Sequence, residues 1–434
     1  MKLAVVVQRY GAELNGGAEL HARYVAEHLL PHADVEVLTT CARDYITWQN
    51  AFSEGLDEVN GVAVRRFPVT RTRDPDDFGR RSEWVFRKAH SIADELKWLN
   101  SEGPTSPALI RYVRDHAEEY DYFIFFSYRY FHTYHGIQAV SSRSVLVPTA
   151  ERDPALGLAL FGPTFRAARA IMYNSLEERA LIQRVSSNED VPGFVVGIGS
   201  DVPSRASSRR FRQRHNLQRR FAIYVGRIDE NKGCEELFDH FRRYARTSEQ
   251  LDLVLVGNPV MPIPSDPRIH HLGFLSDSEK FDAMVAADLL IMPSYFESLS
   301  MVTLEAWALG VPVLVNGRCD VLRGQAVRAN AGLYYTTVDE FSEALQTLAS
   351  SRHLRRGLGA NGRLYFRRHY AWPVIERKYL EMLHQLQAED RSGVTNRLEP
   401  LPGWFARRRR TIPPAGHVVD QLPKGPVFHE RRNE

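Results

Sequence analysis

The sequence predicts an α/β protein made of two doubly wound halves, each a parallel sheet with helices on both faces. Short apolar runs such as LAVVVQ (3–8) and YFIFF (122–126) are typical of strands buried on both faces, and helical stretches separate them. This alternation stops at a basic, polar segment, residues 201–220, and begins again with FAIYVGR (221–227). At 434 residues the chain is also longer than one core usually organises, so two domains are expected.

The first half is predicted to extend over residues 1–202. A helix is expected from about Leu20 to Leu30, and two more over about 83–99 and 107–120. The remaining strands of this half are predicted at VEVLTT (35–40), SVLVP (144–148), AIMYN (170–174) and FVVGIG (194–199).

The second half is predicted over residues 203–372, and a C-terminal helical segment, 373–390, follows it. Within that segment an amphipathic helix is expected from about Pro373 to Gln387. Besides FAIYVGR, the strands of the second half are predicted at LDLVLVG (251–257), ADLLIMP (287–293) and VPVLV (311–315).

The last segment, residues 391–434, is basic and rich in proline, with nine Arg or Lys residues against four Asp or Glu residues. Such a composition cannot build a core, so a disordered tail is expected. It is either a solvated extension or a contact for anionic membrane surfaces, with Trp404 and Phe405 entering the interface. Nucleic acid is not favoured as a partner, because no recognition motif accompanies the charge.

The three cysteines, Cys41, Cys234 and Cys319, are scattered and lack the spacing of metal ligands. A reducing compartment without a disulfide framework is therefore expected. The N-terminal run is too short for a signal peptide, and no apolar stretch is long enough to span a bilayer. These features predict a cytoplasmic protein.

The stretch YFESLSMVTLEAWALGVPVLV (295–315) predicts a short helix with defined ends. Ser298 and Ser300 are typical N-cap residues, and the residues after them do not break a helix. Gly310 suits the position just past the end of the helix, and Pro312 prevents its continuation.

Glu305 is expected on the apolar stripe of this helix, because Met301 and Leu309 lie four residues to either side. An isolated buried carboxylate is costly. Either an Arg or Lys pairs with Glu305 inside the core, or the carboxylate binds a polar ligand near the N-terminus of the helix, towards which helical side chains lean.

Two cations follow the strand that opens the second half. In YVGRIDENKG (224–233) the strand ends at Gly226 and is followed by Arg227 and then by Lys232. Ligands of open α/β sheets bind at the carboxyl ends of strands, and two cations there suit a diphosphate. The backbone N–H groups of residues 298–300 predict a second anion site on the same edge. A solvent-facing basic turn is the alternative interpretation.

Two glycines, Gly16 and Gly17, open the first helix in NGGAE (15–19) and permit a close backbone approach to a ligand. The loop before them lacks the spacing of the GxGxxG fingerprint, so a dinucleotide site is not favoured. A flexible connection between strand and helix is the other interpretation.

Five motifs in this order resemble the retaining family-four glycosyltransferases, glycosyl transferases group 1, over about residues 1–388. They are NGGAE (15–19), VVGIGSDVP (195–203), YVGRIDENKG (224–233), LVLVGN (253–258) and FESLSMVTLEAWALGVPVLV (296–315). The most specific is the pair of glutamates spaced E-x7-E and followed by A-x3-G-x-P-V. The resemblance implies the GT-B fold, in which two Rossmann-like domains face a cleft and a C-terminal helix crosses back to the first domain.

The resemblance also implies a role for each matching residue. Arg227 and Lys232 would hold the donor diphosphate and stabilise it as a leaving group. Glu297 would bind hydroxyl groups of the donor sugar, and Glu305 those of the ribose. Further donor contacts are implied for the phosphate-binding residues Ser298, Leu299 and Ser300, for Gly226, for Gly16 and Gly17 beside the diphosphate, and for Gly273, Phe274 and Leu275 near the base.

The acceptor side departs from the family. Many relatives place a histidine after the strand that here reads SVLVPTAERDPAL, and Glu151 aligns with it. His132 and His135, after YFIFF, are candidate substitutes and are otherwise ordinary loop histidines. The arginine-rich segment 65–88 either faces an anionic acceptor or is a solvated loop.

The sequence therefore predicts a hexosyltransferase that moves a sugar from a nucleotide diphosphate sugar to a hydroxyl group of a glycan, polysaccharide or lipid-linked acceptor, with retention of configuration. No cofactor is expected, and no metal is implied. A GT-B-type nucleotide-sugar epimerase or hydrolase, and a non-catalytic nucleotide-sugar-binding subunit, are the alternatives. Peripheral contact with the inner face of a membrane is expected only through the tail.

Overall fold

The structure, a computed structural model of the chain, describes residues 1–14, 16–203 and 205–392. Two sheets organise these residues, a mainly parallel one before residue 201 and a parallel one after it. The predicted tail, 391–434, lies outside the described residues from position 393 onwards.

The first sheet has eight strands in the order β3-β4-β2-β1-β5-β6-β7-β8. Every neighbouring pair is parallel except β3 and β4, which form an antiparallel hairpin at one edge. The strands are β1 (Lys2–Val6), β2 (Asp34–Thr40), β3 (Gly55–Val59), β4 (Val62–Phe67), β5 (Tyr122–Phe126), β6 (Ser144–Val147), β7 (Ala170–Tyr173) and β8 (Gly193–Val195).

Seven α-helices connect and cover this sheet: α1 (Gly17–Leu29), α2 (Pro75–Arg87), α3 (Ile92–Glu102), α4 (Pro107–Asp115), α5 (Phe131–Ala139), α6 (Phe161–Ala167) and α7 (Leu176–Ser186). The continuous helix predicted over 83–99 is wrong. The chain leaves helical geometry at Lys88, and α3 starts after the capping box that Ser91 and Asp94 form.

The second sheet has six strands, all parallel, in the order β11-β10-β9-β12-β13-β14. They are β9 (Phe221–Val225), β10 (Asp252–Val256), β11 (Ile269–His271), β12 (Leu289–Met292), β13 (Val313–Asn316) and β14 (Gly332–Tyr335). The four strands predicted for this half are present, and β11 and β14 are additional edge strands.

Eight α-helices lie within residues 205–392. They are α8 (Ser208–Arg214), α9 (Cys234–Thr247), α10 (Asp277–Ala286), α11 (Met301–Leu309), α12 (Asp320–Ala329), α13 (Val338–Ser350), α14 (Arg352–His369) and α15 (Trp372–Ser392). Two Rossmann-like sheets covered by helices confirm the predicted fold class.

Helix α15 packs back onto the first sheet. The Tyr122 hydroxyl donates to Asp390 at 2.6 Å, and the Arg169 guanidinium contacts Asp390 at 3.0 Å and Glu389 at 2.7 Å. At the other end of the helix, the Trp372 ring stacks on His28 of α1 at 3.7 Å. These contacts tie the end of the described chain to the first half.

Candidate functional site

The candidate site lies where the carboxyl ends of the two sheets meet. The Ser200 hydroxyl, between the halves, donates to Glu305 on α11 at 3.3 Å, and Arg152 after β6 lies 3.8 Å from Asp320 at the start of α12. Parallel strands of one sheet deliver their carboxyl ends to one edge, so the predicted residues of each half gather there.

Gly233 fixes the position of Lys232. Its φ of 73° lies in the left-handed region, and it is the N-cap of α9. A β-carbon at Gly233 would collide with the carbonyl of Pro293, which follows β12. Glycine therefore allows the turn after β9 to press against the end of the neighbouring strand.

Asp229 organises the two predicted cations. Its carboxylate accepts a hydrogen bond from the Arg227 guanidinium and another, at 2.7 Å, from the backbone N–H of Lys232. Asp229 is buried, whereas the Arg227 side chain is half exposed. Asp229 was not among the residues predicted for the site, although the motif RIDENKG contains it.

Lys232 and Glu297 form an ion pair across the ends of β9 and β12. The Lys232 Nζ atom donates to Glu297 Oε1 at 2.8 Å, and both side chains are largely buried. Burial alone would lower the pKa of Lys232, but the negative charges of Glu297 and Glu151 outweigh it and raise that pKa. Lys232 is therefore positively charged at neutral pH, and it faces two carboxyl groups.

The helix predicted after Glu297 is present as α11. Ser300 is its N-cap and accepts a hydrogen bond from the backbone N–H of Thr303, and Gly310 ends the helix in the left-handed conformation with φ 76°. Leu299 is buried and Ser298 half-buried in the loop before it. The first N–H groups of α11 thus begin at Met301, four residues after Glu297.

Glu305 is paired with a cation in the core, as one of the two hypotheses made for it predicts. The side chain is 3 % exposed, and its Oε1 atom accepts from Lys280 at 3.0 Å and from Ser200 at 3.3 Å. The core cation is therefore Lys280 on α10, which sequence analysis did not identify.

The second carboxylate oxygen of Glu305, Oε2, is buried and has no hydrogen-bond partner among the described residues. Burial raises the pKa of Glu305, and the charge of Lys280 only partly opposes this effect. An unsatisfied buried oxygen is costly in a folded protein, so Oε2 is a candidate acceptor for a ligand hydroxyl group.

Gly16 and Gly17 begin α1 at the same end of the first sheet. Gly16 is the N-cap, and a β-carbon there would collide with the Glu19 carboxylate, which pairs with Arg9 at 2.6 Å. The space where a β-carbon of Gly17 would lie is open. The N-terminus of α1 therefore offers an accessible backbone surface.

Gly273, Phe274 and Leu275 follow β11 at the edge of the second sheet. Gly273 has a φ of 72°, and its carbonyl accepts from the N–H of Gly257 at 2.8 Å. The Phe274 ring is 63 % exposed. An exposed aromatic ring at this edge is available for stacking on a flat ligand group.

Glu151 faces the pair formed by Lys232 and Glu297 from the first half. Burial and, to a smaller extent, the charge of Glu297 raise the pKa of its carboxyl, Lys232 opposes both effects, and the pKa moves from an ordinary 4.5 to about 7. Glu151 of the first half therefore interacts electrostatically with Lys232 and Glu297 of the second half.

Glu178 on α7 lies beside this group and was not predicted. Its buried carboxyl accepts hydrogen bonds from the backbone N–H groups of Ala150, at 2.6 Å, and Asn174, at 2.5 Å. Burial raises its pKa to about 8. Because Ala150 precedes Glu151, these bonds fix the loop that positions Glu151.

The two candidate histidines lie on α5. His132 is 1 % exposed, its Nε2 atom lies 3.0 Å from the carbonyl oxygen of Phe126, and burial lowers its pKa to about 4. The His135 ring packs against Phe131 at 4.4 Å. The structure thus brings Glu151, and not His132, to the other site residues.

The arginine-rich segment 65–88 is partly internal. Arg66 is buried and pairs with Asp57 at 2.9 Å, and Arg73 pairs with the buried Glu102 at 3.0 Å. Along the described chain, no helix combines the length and the apolar character needed to cross a bilayer.

The comparisons with known proteins point to one family. Residues 207–365 match the family model described as glycosyl transferases group 1. Over 99 residues, 23% of this chain and 25% of the relative, the sequence is 33% identical to a putative teichuronic acid biosynthesis glycosyltransferase, TuaC, of Bacillus subtilis. Over 199 residues it is 28% identical to D-inositol 3-phosphate glycosyltransferase of a Nocardioides species, covering 45% of this chain and 40% of that protein. The matched regions thus span less than half the length of these relatives.

A solved structure shares the whole fold. The Anabaena protein HepE, in complex with UDP-glucose, superposes with a TM-score of 0.64 at 17% sequence identity, over 89% of this chain and 100% of that chain. At this identity the likeness concerns the fold.

The raised pKa of Glu151 predicts a stability change with pH. The folded protein holds the neutral acid up to about pH 7, whereas the ordinary group ionises near pH 4.5. Its contribution to stability is therefore complete below pH 4.5 and is lost as the pH rises to 7. Glu151→Gln removes this loss, so the variant should be more stable than the parent at pH 8.5, by at most about 3 kcal/mol, and equally stable at pH 4.5.

Chemical denaturation of both proteins at the two pH values measures this difference. The exposed residue Glu58 supplies the control variant Glu58→Gln, which should follow the parent at both pH values. An equal stability of parent and Glu151→Gln at pH 8.5 contradicts the electrostatic description of Glu151.

Proposed function

We propose that this chain, a member of the glycosyl transferases group 1 family, transfers a sugar from a nucleoside diphosphate sugar to a hydroxyl group of an acceptor, with retention of configuration. The observation that carries the proposal is the ion pair of Lys232 with Glu297 after β9 and β12, with Arg227 linked to Lys232 through Asp229, and with Glu305 on the helix that follows Glu297. The two cations suit the diphosphate of a sugar nucleotide, and the two carboxylates suit the hydroxyl groups of its ribose and of its sugar.

The cations act on the leaving group. When the bond between the anomeric carbon and the diphosphate oxygen breaks, negative charge grows on that oxygen, and Arg227 and Lys232 stabilise it. The N–H groups at the start of α11 add a positive dipole end. The acceptor oxygen forms the new bond to the anomeric carbon, and its proton passes to the leaving phosphate.

The carboxylates recognise the two ends of the donor. Glu305 accepts hydrogen bonds from ribose hydroxyl groups through its unpartnered Oε2 atom, while Lys280 holds Oε1. Glu297 exchanges its bond with Lys232 for hydroxyl groups of the transferred sugar, which frees Lys232 for the diphosphate. The Phe274 ring and the backbone of Gly16 and Gly17 complete the donor contacts.

Glu151 serves the acceptor side. Its position opposite Glu297 and Lys232 supports a role in orienting the attacking hydroxyl group, in place of the histidine that many relatives carry. A pKa of about 7 allows the carboxyl to accept or donate a hydrogen bond at neutral pH. Contact of residues 393–434 with anionic membranes, at the inner face of the cell membrane, remains a prediction on residues that the structure does not describe.

The proposed role of the cations has a direct kinetic test. Arg227→Ala and Lys232→Ala should each lower turnover of the donor about 100-fold, since one lost donor to a developing charge costs about 3 kcal/mol. The exposed Arg246 on α9 gives the matched control, Arg246→Ala, which should keep the parental rate.

The assay is run with the nucleotide sugar that raises the melting temperature of the parent most, in the presence of EDTA, because the two cations are proposed to act without a metal. Parental rates for Arg227→Ala or Lys232→Ala contradict the diphosphate assignment. Incubation with the donor alone separates transfer from hydrolysis or epimerisation, since transfer requires an added acceptor.

The two carboxylates should differ in what they recognise. Glu305→Gln should weaken binding of the free nucleoside diphosphate about tenfold or more, because a charged acceptor for ribose hydroxyl groups is lost. Glu297→Gln should bind the free diphosphate nearly as well as the parent, but should transfer sugar slowly and discriminate less between donor sugars.

Calorimetric titration of both variants with UDP, GDP and ADP supplies the measurement, and the melting temperature of each variant verifies its fold. Equal losses of diphosphate affinity in the two variants refute the division of roles. An unchanged affinity and normal turnover in Glu305→Gln would leave Glu305 as a structural partner of Lys280.

A further inference from the structure

A cavity of about 370 Å³ lies between the two halves, next to Glu297. This volume is within the range of small-molecule pockets, about 300–1,000 Å³. Its walls are formed on one side by residues after β6 and on α7, and on the other by the loops after β12 and β13 and by the start of α12.

The wall from the second half carries two aromatic rings and two arginines, Arg318 and Arg323. Tyr295 and Phe296 immediately precede Glu297, and the Phe296 ring is 37 % exposed. The Arg318 guanidinium lies 5.3 Å from the Tyr295 ring and is held by Glu236 at 2.5 and 2.6 Å. Flat aromatic surfaces beside polar groups are typical walls for a small polar ligand with apolar faces.

The acidic side chains that line the cavity are already satisfied by protein groups. Glu177 pairs with Arg328, and Glu297 pairs with Lys232 at 2.8 Å. Glu178 accepts two backbone N–H groups, and a pKa of about 8 keeps it mostly uncharged at neutral pH. The fourth, Asp320, is bonded to Arg323 at 2.9 Å.

Two arginines of the first half are available to bind a ligand in the cavity. Arg184 on α7 is exposed, lines the cavity and has no ion pair among the described residues. Arg152 is 64 % exposed, and its ion pair among the described residues is a long one, 3.8 Å to Asp320 Oδ2, while Arg323 holds Asp320 Oδ1 at 2.9 Å. The cavity therefore has more cationic than anionic capacity available to a ligand.

We infer that this cavity binds an acidic group, a carboxylate or a phosphate, on a sugar acceptor, with Arg184 and Arg152 as its ligands. The inference rests on the proposed function and names the acceptor class. A planar guanidinium binds both kinds of oxyanion through paired N–H groups. An acceptor held there has its sugar ring against Tyr295 and Phe296 and a hydroxyl group beside Glu297, where the transferred sugar is bound.

Direct binding of acidic and neutral sugars tests the inference without any transfer reaction. Glucose 6-phosphate, glucuronic acid and glucose are titrated calorimetrically into the full chain in the presence of saturating UDP. At least one acidic sugar should bind ten times or more tightly than glucose, and the comparison of the two acids tells whether phosphate or carboxylate is preferred. Equal binding of all three sugars, or binding of none, overturns the inference.

A pair of variants on one helix locates the bound group. Arg184→Gln should weaken binding of the acidic sugar at least tenfold and should leave the affinity for glucose unchanged. Arg179→Gln is the matched control, because Arg179 lies on the same helix but does not line the cavity, and it should bind like the parent. Acidic-sugar binding that Arg184→Gln leaves unchanged contradicts the assignment.

The outcome is separable from that of the proposed function. If donor turnover depends on Arg227 and Lys232 but acidic sugars do not bind, the transferase proposal stands and the acceptor class is wrong. If acidic sugars bind through Arg184 but no donor is turned over, the subsite stands and the transferase proposal fails.

Discussion

The ion pair between Lys232 and Glu297 is the interaction on which the rest of the site depends. It joins the loops that follow β9 and β12, which are neighbours in the second sheet, and it is mostly shielded from water. A buried charge is tolerated only with a partner, so each residue holds the other in place while no ligand is bound. A sugar diphosphate offers both residues a replacement partner, an anion for Lys232 and hydroxyl groups for Glu297.

The same principle accounts for the groups around the pair. Asp229 holds Arg227 and the backbone of Lys232, and Lys280 holds Glu305. These partners fix the geometry of the site before any ligand arrives, and preorganised charge is what lowers a barrier in which charge develops. In the first half, the charges of both members of the pair shift the pKa of Glu151. Glu178 accepts a hydrogen bond from the backbone N–H of Ala150 and so holds the loop that carries Glu151.

The parts of this structure that depend on local sequence were predictable. Helix α11 followed from its caps, Ser300 and Gly310, and the buried parallel strands followed from apolar runs that need burial on both faces. Arg227 and Glu297 could be assigned to one sheet edge because parallel strands end there. The break between α2 and α3 was missed, since the apolar periodicity continues across a capping box formed by Ser91 and Asp94.

What could not be predicted depends on contacts between distant residues. Lys280 lies 25 positions before Glu305, and nothing in the pattern of α10 distinguishes it from a solvated lysine. The β3 strand, GLDEV, is a half-exposed edge strand without the apolar run that marks the buried ones. Burial of His132 and the shared charges of Glu151 and Glu178 likewise arise only when the two halves and their loops are packed.

A crystal structure of the chain with a bound, non-transferable sugar nucleotide tests the central claim most directly. The account predicts that Lys232 Nζ leaves Glu297 and lies within about 3 Å of a diphosphate oxygen, while the Glu297 carboxylate contacts a hydroxyl group of the sugar. A nucleotide bound elsewhere, with Lys232 still paired to Glu297, would contradict it.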